Sequence, residues 1–269
     1  MLTDAHCHPF DLLGHFPAAE SERAKSGVMC AASSTTMDEF EYCERLSLRA
    51  KENAAAPLLP CFAVHPQMPA AADGGSPDNG PCFFADSGLS ILETLAAQGR
   101  LAAVGETGFD LFNAAFRETE KMQDRLFAAH LETALRYDLP LVLHVRRAMH
   151  KIFSHAPKMR KCRSVIFHSW SGTAGEGQAL LRRGINAYFS FGTAIALNHR
   201  RAMQCCAVFP AGRLLAETDA PFQPLRGRAF SSYADIPKIL ETMAALRGEA
   251  ENEIENSIEK NFRSAFARS

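Results

Sequence analysis

Near the start of the chain, Asp4-Ala5-His6-Cys7-His8 sets two imidazoles one residue apart. In an extended strand such residues point to the same face, and two imidazoles so placed can share a metal ion. Four later apolar runs end in further ligand-type side chains, at Glu106, His144, His168 and Asp219. A lone His-x-His is weak evidence, because buried histidines are commonly satisfied by ordinary hydrogen bonds. Six ligand-type residues at the ends of predicted strands form a specific pattern. Four imidazoles suit zinc, manganese or iron better than magnesium or calcium. Six ligands are too many for one four-coordinate ion that keeps a position open for water. Two divalent ions bridged by Glu106 accommodate the whole set, with zinc, manganese or magnesium as the candidates. Paired ions clamp attacking and leaving oxygens and lower the pKa of a shared water, so the chemistry to expect is hydrolysis. Asp4, read on the same strand face, is expected to hydrogen-bond an imidazole and fix its tautomer. The alternative is a carboxylate that caps a neighbouring amide.

The elements that position these residues are legible as short, nearly continuous apolar runs at 2–6, 27–33, 58–64, 102–106, 140–144, 164–168, 187–191 and 214–218. Such runs suit parallel strands covered by helices. Between them lie helical patterns, clearest over 116–136, where Met122, Leu126, Phe127, Leu131, Ala134 and Leu135 make one apolar face. Further helices are expected at 90–98, 173–183, 234–246 and 249–267. Eight alternating strands and helices predict an α/β fold, a (β/α)8 barrel in a single domain spanning 1–269, with its active site at the C-terminal ends of the strands. Residues 67–87 and 221–232 read as long irregular loops on that face.

Composition narrows the function classes. An apolar share of 47% and a charged share of 22% are ordinary for a folded protein. A net charge of −1 gives the molecule as a whole no pull toward nucleic acid or anionic lipid. A local basic patch could still attract a phosphate, and Arg146-Arg147, Arg182-Arg183 and Arg200-Arg201 are the pairs to watch; any on the active rim could track a phosphate backbone. No run approaches the roughly 18 apolar residues of a membrane span, and no signal peptide pattern precedes the histidines, so the cytoplasm is expected. The eight cysteines, Cys7, Cys30, Cys43, Cys61, Cys82, Cys162, Cys205 and Cys206, form no C-x-x-C pair and read as reduced, buried small hydrophobes. His130 reads as a packing or surface residue, and His15, His150, His155 and His199 as solvated faces or helix ends.

Taken together, these segments resemble the TatD family of metal-dependent deoxyribonucleases, within the amidohydrolase superfamily. Asp4-Ala5-His6-Cys7-His8 is similar to the family's D-x-H-x-H. Ala63-Val64-His65-Pro66 resembles G-x-H-P, and Val104-Gly105-Glu106-Thr107-Gly108-Phe109-Asp110 resembles G-E-x-G-L-D. Leu139 to Arg146 is similar to L-P-x-x-x-H-x-R, His168-Ser169-Trp170-Ser171-Gly172 to H-x-F-S-G, and Glu217-Thr218-Asp219-Ala220-Pro221 to E-T-D-A-P. The order of these elements is kept from end to end. The resemblance implies a phosphodiester hydrolase acting on DNA or oligonucleotides. It further implies that His6, His8 and Asp219 hold one ion, that His144 and His168 hold the other, and that Glu106 bridges. Asp219 would orient or deprotonate the attacking water, and His65 would contact the scissile phosphate. Arg146 is a phosphate-binding candidate, with a salt bridge to a carboxylate as the alternative. The chain departs from the family at Leu111-Phe112, where a tyrosine is common, and at Trp170, where phenylalanine is usual. Two other readings stay open: a related barrel acting on an amide, lactone or base, since fold does not choose substrate, and a non-catalytic metal-binding barrel. No membrane and no obligate protein partner is expected.

Overall fold

Short apolar runs become eight parallel strands in the computed structural model, which describes residues 1–71 and 81–267. They are β1 (Thr3–Cys7), β2 (Met29–Ala32), β3 (Leu58–Phe62), β4 (Ala103–Asp110), β5 (Leu141–Arg146), β6 (Val165–Phe167), β7 (Ala187–Phe191) and β8 (Leu214–Ala216). Each pairs with its neighbour in chain order, and helices lie between them. The expected (β/α)8 barrel is the observed architecture. Every strand contributes to one buried cluster, including Ala5, Ala31, Cys61, Val142, Ile166 and Leu215, against which Phe262 and Phe266 of the helix Glu251–Phe266 pack. No helix among the described residues is long and apolar enough to cross a membrane. The described cysteine side chains are buried, as expected, and Cys7, Cys30, Cys43, Cys162, Cys205 and Cys206 are free thiols; the expectation for Cys82 lies outside the described side chains.

The barrel closes between β8 and β1. The Asp219 N–H donates to the His6 carbonyl at 2.9 Å, and the His8 N–H donates to the Ala220 carbonyl at 2.8 Å. The Asp4 carboxylate completes the seam by accepting the Thr218 N–H at 2.9 Å and the Thr218 hydroxyl at 2.6 Å. Asp4 therefore caps an amide and does not hold an imidazole, which corrects the first expectation and supports the alternative. The reason is register. Asp4 lies opposite Cys30 but Cys7 lies opposite Ala32, so β1 carries one extra residue between them. A bulge breaks the strict alternation that would put Asp4 and His6 on one face. Burial pushes the Asp4 carboxyl up to about 7, against the pull of its Thr218 hydrogen bonds.

A second bulge corrects the position of Glu106. It does not end its strand; β4 runs on to Asp110. Val104 faces Leu141 whereas Thr107 faces Leu143, so the extra residue falls at Gly105-Glu106 and re-aims the carboxylate. Two residues later, Gly108 has φ +135, and a Cβ there would sit 2.1 Å from the His144 carbonyl oxygen. Only glycine lets β4 come this close to β5 beside His144.

The helices differ from expectation in two places. The pattern over 116–136 is split into Ala114–Glu118, capped by the Asn113 side chain, and Glu120–Arg136. The break lets Gln123 clamp the end of β4: its carbonyl accepts the Asp110 N–H at 2.8 Å and its amide donates to the Asp110 carbonyl at 3.0 Å. The stretch 67–87 is not one irregular loop. Met68–Ala71 is helical, and Pro81 opens the helix Pro81–Ala97, a position that its fixed φ favours; residues 72–80 lie outside the described part. The helix Ala174–Arg182 begins with a capping box between Thr173 and Glu176. Residues 221–232 are irregular, as expected.

His130, on the inner face of Glu120–Arg136, is buried and not a ligand. Its Nε2 accepts the Val64 N–H at 2.9 Å and its Nδ1 faces the Leu126 carbonyl at 2.5 Å. The imidazole is thus neutral, and it fixes the chain just before His65. Burial lowers its pKa from 6.5 to about 4. As pH falls below 6.5 the unfolded chain takes up a proton here before the folded one does. Stability from this group is complete above 6.5 and is lost down to about 4, by on the order of 3 kcal/mol. Chemical denaturation between pH 7 and 4 should therefore show a shallower acid loss in His130→Gln than in wild type; parallel curves would contradict the assignment.

Candidate metal centre

The six ligand-type residues meet at the C-terminal mouth of the barrel; all but the buried His6 line a cavity of about 1070 Å³ that also takes in His65 and Arg146. Glu106 stands at the centre, 3% exposed, with its two oxygens turned to different groups. Oε2 lies 3.2 Å from His6 Nε2 and 3.7 Å from His8 Nε2. Oε1 lies 2.8 Å from His144 Nδ1, 3.0 Å from His168 Nε2 and 3.3 Å from His65 Nε2. Asp219 closes the first group, with Oδ1 3.5 Å from both His6 Nε2 and His8 Nε2. The two histidine nitrogens are themselves 3.1 Å apart.

His6, His144 and His168 each have a group behind the ring on the side away from Glu106. His6 Nδ1 lies 3.2 Å from Ser33 Oγ. His144 Nε2 lies 3.1 Å from Asp110 Oδ2, and Asp110 is itself held by Gln67 Nε2 at 2.6 Å and by the Phe112 N–H at 2.9 Å. His168 Nδ1 lies 3.3 Å from Glu217 Oε1, close enough for charge pairing but not aligned as a hydrogen bond. Such outer contacts direct the opposite nitrogen lone pair toward the centre. His65 is different. Its Nδ1 accepts the Gln67 N–H at 3.2 Å, so its proton sits on Nε2 and points at Glu106. It lies near enough to Glu106 and His144 to be grouped with them as a possible ligand, but in this tautomer it is a donor into the mouth.

The electrostatics follow from crowding. Burial favours the neutral form of Glu106, but His168, His65, His6 and His144 hold it well below the usual carboxylate range. Burial also opposes charge on Asp219, yet His8, His168 and His6 bring it to about 2. Burial disfavours charge on His168, but Glu106 and Glu217 raise its pKa well above normal. Burial dominates at His6 and His65 and lowers both. Two ionised carboxylates and inward imidazole lone pairs make a donor set that fits divalent cations.

Asp219 and Ser169 adopt left-handed backbones, at φ 56 and 45. For residues with side chains this costs roughly 1–3 kcal/mol. One amide spans both: Gln223 Nε2 donates to Asp219 Oδ2 at 2.6 Å and to Ser169 Oγ at 2.7 Å.

Arg146 makes no salt bridge among the described residues; its guanidinium lies over the Phe112 ring at 3.6 Å. Of the unassigned histidines, His15 and His150 are exposed as expected. His199 precedes the helix Arg200–Val208 but borders the cavity, and His155 packs on Phe109 and Phe127. Sequence reasoning missed Ser33, Gln67, Asp110, Glu217 and Gln223. Asp110 and Glu217 were inside quoted motifs and could have been found there; Ser33 and Gln223 carried no local signal.

Comparison with known proteins bears on the same residues. The family described as TatD related DNase matches residues 3–267. A 3′-5′ ssDNA/RNA exonuclease TatD of Escherichia fergusonii is 34% identical over 60% of this chain and 63% of its own length, so the match spans less than two thirds of that enzyme. The metal-dependent hydrolase YjjV of Escherichia coli K12, itself uncharacterised, is 28% identical over 98% of this chain and 96% of its own. The crystal structure of that TatD homologue superposes with a TM-score of 0.81 at 26% identity, covering 100% of this chain and 98% of that one. With a family match that reaches from the first strand to the last helix, the chain belongs to the TatD related DNase family.

Proposed function

We propose that the chain acts as one domain, a metal-dependent hydrolase that cleaves phosphodiester bonds in DNA or oligonucleotides. The observation that carries this reading is the Glu106 carboxylate, one oxygen facing His6 and His8 and the other facing His144 and His168. In this reading His6, His8, Asp219 and Glu106 would hold one divalent ion, and His144, His168 and Glu106 a second; zinc, manganese and magnesium are the candidates. Ions bound there supply an activated water and Lewis-acid polarisation of the phosphoryl group.

The chain's own groups do the rest. Asp219 stays ionised at neutral pH, and with Oδ2 engaged by Gln223 it orients the water and accepts its proton. His65 offers its Nε2–H to a phosphoryl oxygen, where a preorganised donor is worth most as charge develops. Arg146 presents a planar fork suited to a phosphate, held against Phe112. The exonuclease relative is named for single-stranded DNA and RNA, which supports a single-stranded end as substrate.

Glu106→Gln and His144→Ala should each cut turnover of a single-stranded oligonucleotide with added manganese by about a thousandfold or more, with the far-UV CD spectrum unchanged. Rates near wild type in either variant would reject the reading. His65→Ala should lower kcat by roughly a hundredfold while bound metal per chain, measured by elemental analysis, stays at the wild-type level. Metal lost together with activity would make His65 a ligand after all.

A further inference from the structure

The metal centre accounts for one phosphate, but the cavity wall carries more cationic charge than one phosphate needs. Arg146, Arg200 and Arg201 all border it, and all are exposed. None has a carboxylate within salt-bridge distance among the described residues. Some arginines elsewhere on the surface are paired, as in Arg100 with Glu44 at 2.6 Å and Arg263 with Glu259 at 2.7 Å. The arginines at the mouth are instead held by groups that leave their charge available. Arg146 and Arg147 lie over the exposed Phe112 ring at 3.6 and 4.5 Å. Arg147 also reaches the Phe112 carbonyl at 3.3 Å. Arg201 Nη1 reaches the Ser171 carbonyl at 3.4 Å, and Ser171 Oγ donates to the Val145 carbonyl at 2.9 Å. Arg201 is thereby tied through Ser171 to the backbone of Val145, the neighbour of Arg146, and the basic residues form an arc beyond the ends of β5, β6 and β7, with Arg146, Arg200 and Arg201 on the cavity wall and Arg147 just outside it.

The opposite wall has the other sign. Asp11, in the helix that follows β1, and Glu39, in the helix that follows β2, border the same cavity. A polyanion entering the mouth is repelled there and attracted along the arginine arc.

We propose that Arg147, Arg200 and Arg201, with Phe112 as the platform for the first, form an extended subsite that binds the phosphates next to the one being cleaved. Resting on the functional reading above, this makes the preferred substrate a strand of several nucleotides that leaves over β5 to β7, and not a dinucleotide or a lone phosphodiester. Guanidinium contacts to backbone phosphates carry no sequence information, so this subsite selects for chain length and backbone charge.

The test is kinetic, with manganese supplied and initial rates on dT12 and on the dinucleotide dTpdT. Wild type should prefer dT12 by about tenfold or more in kcat/KM. Its log(kcat/KM) on dT12 should fall with log salt, each single-strand phosphate contact contributing about 0.7 to the slope. Arg200→Ala with Arg201→Ala should lose most of the length preference and flatten that slope by about 1.4. Arg200→Lys with Arg201→Lys should keep both, which separates lost charge from lost fold. Hydrolysis of dT12 with an unchanged slope and unchanged length preference in the double alanine variant overturns the subsite alone. Hydrolysis of neither substrate by wild type overturns the functional reading and the subsite with it.

Discussion

A carboxylate buried at the mouth of the barrel is the constraint that the rest of the site answers to. Taking Glu106 out of water costs several kcal/mol unless opposite charge and hydrogen-bonding groups surround it. Here imidazoles do so, and they hold the carboxylate ionised despite its burial. The fold must then deliver those rings from β1, β5 and the turn after β6 to within about 4 Å of one side chain. A cylinder of parallel strands does this because all its strands end on one rim. Closure matters as much as curvature. His6 comes from the first strand, His8 from just after it and Asp219 from just beyond the last, so they meet only if the seam shuts. The Asp4 carboxylate and two backbone hydrogen bonds shut it at that level. Asp4 thus serves the centre from one layer away, by fixing the strand ends that carry its ligands.

Two local defects in the sheet complete the aim. Bulges in β1 and β4 each insert one residue, next to His6 and at Glu106. A regular strand would alternate its side chains between barrel interior and helix layer; a bulge rotates the next side chain and bends the strand. The cost in ladder pairing is offset by neighbours that fit only this geometry: Gly108 admits β5 at close range, and Gln123 locks the backbone of Asp110 at both its donor and its acceptor. Asp110 in turn orients His144. A path of direct contacts therefore runs from Gln123 on a covering helix to an inward-facing nitrogen. Packing and site chemistry share these residues, and a change in the helix would be felt at the metal centre without touching it.

How much of this was legible in the sequence depends on which interaction set the feature. The strand order, the rim and the six converging side chains followed from apolar runs that end in ligand-type residues, because burial and alternation act over short spans of chain. The bulges did not follow. In strands whose residues are all buried, such as β1 and β4, the polar-apolar pattern that would reveal a slipped register is missing. Asp4 was accordingly put on the wrong face. Ser33 and Gln223 were invisible for another reason: each acts through one long-range contact, across 27 residues to His6 in the first case, and a single serine or glutamine in a loop has no periodicity to betray it. The split of 116–136 into two helices is similar. It depends on Gln123 finding Asp110, a tertiary contact that overrides a continuous helical pattern.

The arginine pairs show where charge counting stops being informative. A net charge of −1 is silent about nucleic acid, since attraction depends on the field inside the cleft and not on the sum over the surface. The sequence could name Arg146-Arg147 and Arg200-Arg201 but not their facing, which is set by where the β5 and β7 loops turn. In the proposed reading they divide the work with the candidate metal centre. The ligand-type residues sit in or just beyond the strand ends, whereas Arg147 follows β5 and Arg200 and Arg201 open the helix after β7, in connecting segments where change is more readily tolerated. A barrel of this kind can keep its hydrolytic centre while its loops alter what is brought there. Phe112 illustrates the point. Where the family commonly has a tyrosine, this chain keeps the ring and loses the hydroxyl. That hydroxyl could have hydrogen-bonded a phosphate or a base directly. The ring alone can only stack, and it stacks on two guanidinium groups. In the proposed reading, a position that could make one directional hydrogen bond instead holds two charges, which favours length and charge of a polyanion over the identity of any one nucleotide.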